Sequence, residues 1–277
     1  MWQAIELWQG GLIVLVGLIA GIAGGLLGIG GSLIMIPCLV MLFGHDRIEG
    51  VNQHLYQAAA MIANVAVAVP AAWRHYRKGA TVPQALAWML PAALLAVLVG
   101  VALSNLPLFA GHLGGRRLGR VLAAFIIYVI FVNVRKLIGR AATQDEPEPH
   151  VTPGPAVAVG GIMGIIAGLL GVGGGVMAVP LQQVLMRMPL RAAIANSSAV
   201  ICVSASLGAI YKNVSLGLHH ARWQDSLLLA GILAPTCWIG GLIGASLTHR
   251  LPVRQVRIAL IVFLAVAALR MLDIQWW

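Results

Sequence analysis

Acidic residues are scarce in this 277-residue chain, and charged residues of either sign make up only 9% of it. The eight aspartates and glutamates all lie outside the long apolar stretches or at their edges. Cation-coupled membrane carriers often keep a carboxylate within the membrane as a proton or sodium site. This chain offers no such residue, which predicts a neutral or positive interior that suits an anion better than a cation.

Cysteine is also rare, and its spacing excludes two kinds of site. The three cysteines, Cys38, Cys202 and Cys237, lie within apolar segments and form no CxxC pair. We therefore predict core thiols and neither a metal site nor a disulfide. The first residues, MWQAIELWQGG, carry no basic region, so no cleaved signal peptide is predicted. No lysine followed by serine or threonine stands after the glycine-rich stretches, which excludes a nucleotide loop, and no cofactor is expected.

Hydrophobic residues are abundant instead. They make up 60% of the chain, and the mean hydropathy is +0.92. A soluble domain carries about 25% charged residues, whereas a spanning helix needs about 20 apolar ones. The apolar runs are continuous and do not alternate, unlike those of a membrane β-barrel. These features predict an all-α polytopic membrane protein.

The net charge of +10 comes from short basic clusters between the apolar segments, for example at 74–78 and 116–120. Membrane proteins anchor and orient their loops in this way. We therefore expect the lipid bilayer, and not nucleic acid, as the partner. The predicted apolar segments are 11–24, 33–44, 51–71, 82–104, 118–138, 157–170, 176–186, 192–212, 226–247 and 256–272.

The chain divides into two similar halves around a proline-rich acidic stretch. We predict a first transmembrane repeat over 1–140, a linker over 141–155 and a second repeat over 156–277. The halves share a motif at an offset of 143 residues, GIAGGLLGIGGSLIMIP at 21–37 and GIIAGLLGVGGGVMAVP at 164–180. Internal duplication of this kind is the usual plan of secondary transporters.

The orientation of the repeats depends on the segments around this motif. Segments 11–24 and 33–44 are each too short to cross about 30 Å comfortably. If they form a hairpin, the repeats are inverted; if they form one broken helix, the repeats are parallel. The hairpin places four basic clusters on one side, at 74–78, 135–140, 187–191 and 250–257. Since basic loops face the cytoplasm, we predict inverted repeats, each with a glycine-broken pair of short helices and about three full transmembrane helices.

The glycine motif predicts a site. Non-helical backbone at membrane depth is tolerated only where it is buried in protein or lines a polar cavity. Glycine permits positive φ, and a helix that restarts after a break directs N–H groups and its positive dipole end at the gap. The predicted anion-binding residues of the two breaks are Gly28, Gly30, Gly31, Ser32, Gly171, Gly173, Gly174 and Gly175. The alternative is helix packing through small residues four apart, as at Gly24 and Gly28.

Polar side chains at the start of two apolar segments extend this predicted site. They are Gln53, His54 and Gln57 in the first half and Asn196, Ser197 and Ser198 in the second. Gln53, Gln57 and Asn64 fall near one helical face. Polar groups are costly in hydrocarbon, so they are expected to face the bundle interior. Interhelical hydrogen bonding is the alternative role for these residues, and a structural histidine is the alternative for His54.

The duplicated GLLGIGGSLIMIP and GLLGVGGGVMAVP, the ANSSAV at 195–200 and the basic-flanked last segment of each half resemble the TauE/SafE sulfite exporter family. The resemblance covers nearly the whole chain. It implies a multi-pass protein of the bacterial inner membrane that exports a small sulfur-containing anion, such as sulfite, or an organosulfur compound. The bulkier amides and imidazole of the first half imply a narrower or more donor-rich cavity than in relatives.

The predicted function is secondary transport by alternating access at a central site formed by the two breaks and the two polar starts. Four alternatives stay open: a passive anion channel, a permease for a non-sulfur organic anion, a scaffold subunit, and an intramembrane serine hydrolase using Ser32 and His54. The hydrolase is disfavoured because Gly175 is the repeat partner of Ser32 and no third orienting residue is found. We therefore predict that the protein is not an enzyme. The sequence leaves direction, ion coupling and oligomeric state open.

Overall fold

All the regular secondary structure in the described part of the chain is helical. The computed structural model describes residues 7–43, 53–106, 108, 111–138 and 151–250, followed only by 252, 254, 255, 258, 261, 262 and 265. Within these residues the α-helices are α1 (Leu7–Leu27), α2 (Ser32–Phe43), α3 (Gln53–Arg77), α4 (Pro83–Ser104), α5 (Gly111–Ile138), α6 (Pro153–Leu170), α7 (Gly175–Leu185), α8 (Leu190–Ser215) and α9 (Trp223–Leu247). Most of the predicted linker 141–155 and of the predicted last segment 256–272 lies outside the described residues.

Six of these helices, α1, α3, α4, α6, α8 and α9, are long and apolar enough to cross a membrane. The helices α2 and α7 have 12 and 11 residues. At 1.5 Å per residue they extend roughly 18 and 16 Å, well short of the apolar core of a bilayer. The predicted all-α polytopic class is confirmed for the described residues.

The first helix of each glycine-broken pair is longer than predicted. The sequence prediction limited these helices to 11–24 and 157–170, whereas α1 has 21 residues and α6 has 18. The expectation that both members of each pair are too short to span is therefore wrong for the first member. At its other end, α6 begins at Pro153, inside the predicted linker, because proline is well suited to the first turn of a helix.

Several helical positions of α1 and α6 require glycine, because a neighbouring helix leaves no room for a side chain. A Cβ on Gly21 would lie 2.7 Å from the carbonyl oxygen of Cys237 on α9. On α6, a Cβ at Gly164 would collide with the carbonyl oxygen of Ala93 on α4. The same contact recurs four residues apart along both pairs, at Gly17 and Gly25 of α1 and at Gly160 and Gly168 of α6. The packing interpretation therefore holds for these glycines.

The chain reverses at the first break. A Cβ on Gly31 would lie 3.0 Å from the carbonyl oxygen of Ala20. Four residues later, the Met35 sulfur lies 3.6 Å from the Cys237 thiol, which donates a hydrogen bond to the carbonyl oxygen of Gly17 (3.4 Å). Later residues of α2 thus meet earlier residues of α1. The two helices form a hairpin and not one broken helix.

The corresponding helices α3 and α8 run in opposite directions. The C-terminal part of α8 meets the N-terminal part of α3, where Lys212 Nζ donates to Gln57 Oε1 at 2.5 Å. At the other end of the pair, the backbone N–H of Val82, just before α4, donates to Asn196 Oδ1 near the start of α8 (2.9 Å). Inverted repeats place equivalent helices antiparallel, so this arrangement is consistent with the predicted inversion.

Basic residues from two predicted clusters meet at one end of the bundle, around His249, which directly precedes a third. Arg191, Lys78 and Arg74 all act electrostatically on His249. We call this the basic end, and the end that carries Gln57 and Lys212 the opposite end. The convergence agrees with the predicted common side for 74–78, 187–191 and 250–257.

Leucine at Gly164 tests the contact between α6 and α4. Gly164→Leu is expected to lower the free energy of unfolding by about 1–3 kcal/mol, because the new side chain must displace the α4 backbone. The matched control is Gly161→Leu, since a Cβ on Gly161 meets no atom within 4 Å. The measurement is thermal unfolding of the purified protein, followed by tryptophan fluorescence. Equal midpoints for the two variants would contradict this packing.

Candidate functional site

The two glycine breaks lie against each other. A Cβ on Gly175 would collide with the carbonyl oxygen of Gly28 and lie 2.9 Å from Ile29 Cα. Backbone φ values between +62° and +80° occur at Gly28, Gly30, Gly171, Gly173 and Gly174. Residues with a Cβ pay roughly 1–2 kcal/mol in this region. Both the backbone conformation and the close approach therefore require glycine here.

Asn64 of α3 fills the space between the breaks. Its Oδ1 accepts a hydrogen bond from the Ser32 backbone N–H (2.9 Å), and its Nδ2 donates to Ser32 Oγ (2.7 Å). A Cβ on Gly30 would lie 3.2 Å from Asn64 Oδ1, and one on Gly173 would lie 2.8 Å from Nδ2. The Ser32 N–H, one of the groups expected to face a bound anion, is thus satisfied by a side chain of the protein.

Each break also contacts the polar start of a helix from the other half. A Cβ on Gly171 would lie 2.8 Å from the Cβ of Gln57, near the start of α3. A Cβ on Gly28 would lie 2.8 Å from the carbonyl oxygen of Ile194, near the start of α8. Because α3 and α8 are antiparallel, these contacts lie towards opposite ends. The glycines of the two breaks therefore meet around Asn64, and the polar starts of α3 and α8 lie on opposite sides of them as two half-sites.

The polar residues of α8 are buried and hydrogen-bonded. Gln182 Nε2 of α7 donates to Ser197 Oγ (2.9 Å), and Asn196 Nδ2 lies 3.4 Å from Gln182 Oε1. Ser198 Oγ donates to the carbonyl oxygen of Ile194 in its own helix (3.0 Å). The alternative of interhelical hydrogen bonding thus describes the contacts of Asn196 and Ser197.

The polar start of α3 lies in a buried cluster at the opposite end. Lys212 is 2% exposed, and its Nζ donates to Gln57 Oε1 (2.5 Å) and to Ser104 Oγ of α4 (3.1 Å). The His54 ring stacks on the His219 ring with centroids 3.5 Å apart and planes inclined by 6°. Three helices and the turn after α8 therefore contribute polar groups to one buried region.

Gln53 belongs to the same region, one turn before Gln57 on α3. It is completely buried, and neither of its side-chain polar atoms has a hydrogen-bond partner within the described part of the chain. Gln57 Nε2 is likewise without one there. We refer to this group as the lysine cluster, and its members are Gln53, His54, Gln57, Ser104, Lys212 and His219.

Lys212 is not among the site residues predicted from the sequence, where it lies at the end of an apolar segment. Two signals were available: the lysine lies inside the candidate span Leu190–His219, and no acidic residue follows it until Asp225. An ammonium group within a span is a functional-site candidate by default.

The structure does not bring Ser32 and His54 together as nucleophile and base. Ser32 Oγ accepts its hydrogen bond from Asn64, whereas His54 lies ten residues earlier on α3, about 15 Å along the helix axis. Cys38 and Cys237 are buried, Cys202 is half-buried, and all three are free thiols. No group of three metal-ligating side chains occurs among the described residues.

The fold is that of a polytopic helical membrane protein with a transporter-like internal arrangement. Two glycine breaks pack against each other, and the corresponding helices α3 and α8 are antiparallel. The sequence profile of one family, "Sulfite exporter TauE/SafE", matches residues 13–271. The chain belongs to this family, which confirms the resemblance seen in the sequence.

Individual relatives are distant but cover most of the chain. "Probable membrane transporter protein MamO" of Paramagnetospirillum magneticum is 27% identical over 94% of this chain and 44% of its own length. "Probable membrane transporter protein YunE" of Bacillus subtilis is 24% identical over 88% of this chain and 90% of its own. A "Probable membrane transporter protein" of Haemophilus influenzae is 27% identical over 94% and 97%. This chain thus spans less than half the length of the MamO protein. No solved structure matches it significantly.

Removing the Asn64 amide tests its role between the breaks. Asn64→Leu is expected to lower the free energy of unfolding by about 1–3 kcal/mol, because the buried Ser32 N–H loses its partner. The control is Asn213→Leu, since Asn213 is half-buried and its Nδ2 donates within its own helix, to Ala209. Thermal unfolding in detergent provides the comparison. If Asn64→Leu cost no more than its control, Asn64 would not support the breaks.

His249, which lies beyond the last residue of α9, reports on the basic end. Burial lowers its pKa below the ordinary value, and the neighbouring charges of Arg191, Lys78 and Arg74 lower it further. Removing one positive charge favours the imidazolium, so Arg191→Gln is expected to raise the pKa of His249. An NMR titration of labelled histidine, assigned with His249→Gln, measures the shift. Arg222→Gln, at the start of α9, is expected to leave it unchanged; equal shifts for both arginines would contradict the convergence.

Proposed function

We propose that the protein is a secondary transporter of a small sulfur-containing anion, such as sulfite or an organosulfur compound, in the bacterial inner membrane. The observation that carries this proposal is the direct contact between two glycine breaks, one from each half. Breaks of this kind weaken a helix that only has to pack, so their presence in pairs favours a built site. Family membership and the printed names of the relatives support the same class.

The proposed mechanism is alternating access. Each break packs against the polar start of the other half, through Gly28 with Ile194 and through Gly171 with Gln57. Both contacts are closed in this structure, and Asn64 lies between the breaks. In the proposed cycle one contact opens while the other remains packed, which gives the substrate access from one side at a time. The two contacts are equivalent and lie towards opposite ends of the bundle, so opening one or the other gives the two access states of the cycle.

We place the basic end in the cytoplasm, because loops rich in arginine and lysine remain on that side. The lysine cluster then lies towards the external side. Export is the direction that the family resemblance implies. The one carboxylate of the described spanning helices, Asp225, lies in the first turn of α9, at the edge of the span and not in its interior, and this also favours an anion as the transported species.

The proposal predicts saturable anion flux that depends on the breaks. Purified protein is reconstituted in liposomes, and the flux of labelled sulfite, thiosulfate and a short-chain sulfonate is measured with counter-transport. Gly173→Leu is expected to lose the flux, because Gly173 has φ +72° and a Cβ there would lie 2.8 Å from Asn64 Nδ2. Asn196→Leu is expected to reduce flux as well, since it removes a polar group of one half-site.

Gly161→Leu, on an open face of α6, is the matched control and is expected to transport normally. No flux of any of these anions through folded wild-type protein would remove them as substrates. Flux without counter-transport, at rates far above carrier turnover, would indicate a channel instead.

A further inference from the structure

Lys212 is a buried lysine without a neutralising partner in the described part of the chain. It is 2% exposed, and its two hydrogen-bond partners, Gln57 and Ser104, are both uncharged. Asp225 is the one acidic side chain among the described residues, and it does not act on Lys212. Burying an ammonium group is unfavourable unless an opposite charge accompanies it. A bound anion at this position would therefore stabilise the charged form of Lys212.

The groups around Lys212 include donors that have no acceptor. Gln57 accepts from Lys212 through Oε1, which leaves its Nε2 buried and without a partner among the described residues. The side chain of Gln53, one turn away on the same face of α3, is completely buried and unpartnered at both polar atoms. Buried polar groups in native proteins nearly always have a hydrogen-bond partner. An oxyanion would accept from both amides and from the third ammonium N–H.

We propose that Lys212, Gln57 and Gln53 bind a singly charged oxyanion, either a sulfonate or hydrogensulfite, at the opposite end of the bundle. This inference rests on the proposed transport of a small sulfur-containing anion and assigns its substrate site and charge. One ammonium neutralises one negative charge, so a monoanion yields a neutral buried complex. A dianion such as sulfate leaves a net charge in the apolar interior and binds more weakly.

The site belongs to one half-site only. At the repeat offset of 143 residues, Lys212 corresponds to Val69 and Gln57 corresponds to Val200. The second half-site therefore has no equivalent ammonium, and its Asn196 and Ser197 are already hydrogen-bonded to the protein. The anion is held on one side of Asn64, towards the opposite end, and in the export direction it enters through the uncharged half-site.

The first test measures anion binding by purified protein through thermal stabilisation. Ethanesulfonate is the probe, and sodium sulfate at equal ionic strength is the dianion comparison. Wild type is expected to be stabilised in a saturable manner, with at least several-fold weaker binding of sulfate. Lys212→Gln is expected to raise the half-saturating concentration tenfold or more. Lys78→Gln removes a lysine at the exposed basic end and is expected to bind as wild type does.

The second variant keeps the lysine and supplies a counter-ion. Gln57→Glu has nearly the same shape and places a carboxylate on Lys212 Nζ. It is expected to abolish stabilisation by ethanesulfonate while the protein remains folded, because the lysine is then neutralised internally. Undiminished binding in either Gln57→Glu or Lys212→Gln would overturn the inference. Equal affinity for sulfate would overturn the assigned charge.

A carboxylate of the chain is the competing counter-ion, and Asp46 and Glu49 precede α3 in the sequence outside the described residues. Asp46→Asn and Glu49→Gln separate the two explanations. If ethanesulfonate stabilised Asp46→Asn or Glu49→Gln but not the wild type, a carboxylate of the chain would be the counter-ion of Lys212. That result would overturn the inference.

Comparing anion binding with liposome flux separates the proposed anion site from the proposed transport. Saturable liposome flux that is unchanged in Lys212→Gln leaves transport intact and overturns the site. Binding that is lost in Lys212→Gln, without flux in wild type, supports the site and removes transport of these anions. Wild type with neither binding nor flux overturns both.

Discussion

The backbone of the two breaks leaves its helices among apolar neighbours, where water cannot replace the lost hydrogen bonds. Asn64 supplies one of them by accepting from the Ser32 N–H, and the breaks bury each other by packing at Gly28 and Gly175. This requirement places α3 between the hairpins, because α3 carries Asn64. Two further features fit this placement. The helix α3 pairs with α8 in the antiparallel direction, and the polar start of each of these helices packs against the break of the other half.

Glycine has two distinct roles in the same motif. In α1 and α6 it remains helical and allows the backbone of α9 or α4 to approach, as Gly21 and Gly164 do. In the breaks it adopts positive φ and reverses the chain, as Gly28 and Gly173 do. The packing glycines join each hairpin to a helix of the other half, so the two halves are interlocked. Site formation and helix packing, which compete as explanations of the motif, therefore apply to different residues.

The polar interior is less symmetric than the helix arrangement. The half-site at α8 is closed by hydrogen bonds among Gln182, Asn196 and Ser197. The half-site at α3 contains an ammonium group, and some of its buried amide atoms have no partner among the described residues. The duplicated fold thus carries a buried lysine in only one of its two half-sites.

Sequence alone determined the all-α class, the doubled glycine motif and the approximate positions of α3, α4, α8 and α9, because apolar length and local backbone preference are encoded over short stretches. It also placed most of the polar residues that line the half-sites. Only the tertiary structure decided which glycines break a helix and which allow helices to pack, since the packing role depends on whether the backbone of another helix approaches. It also decided the roles of Asn64 and Lys212: Lys212 meets Gln57 across 155 residues of chain, and no local pattern encodes such a contact.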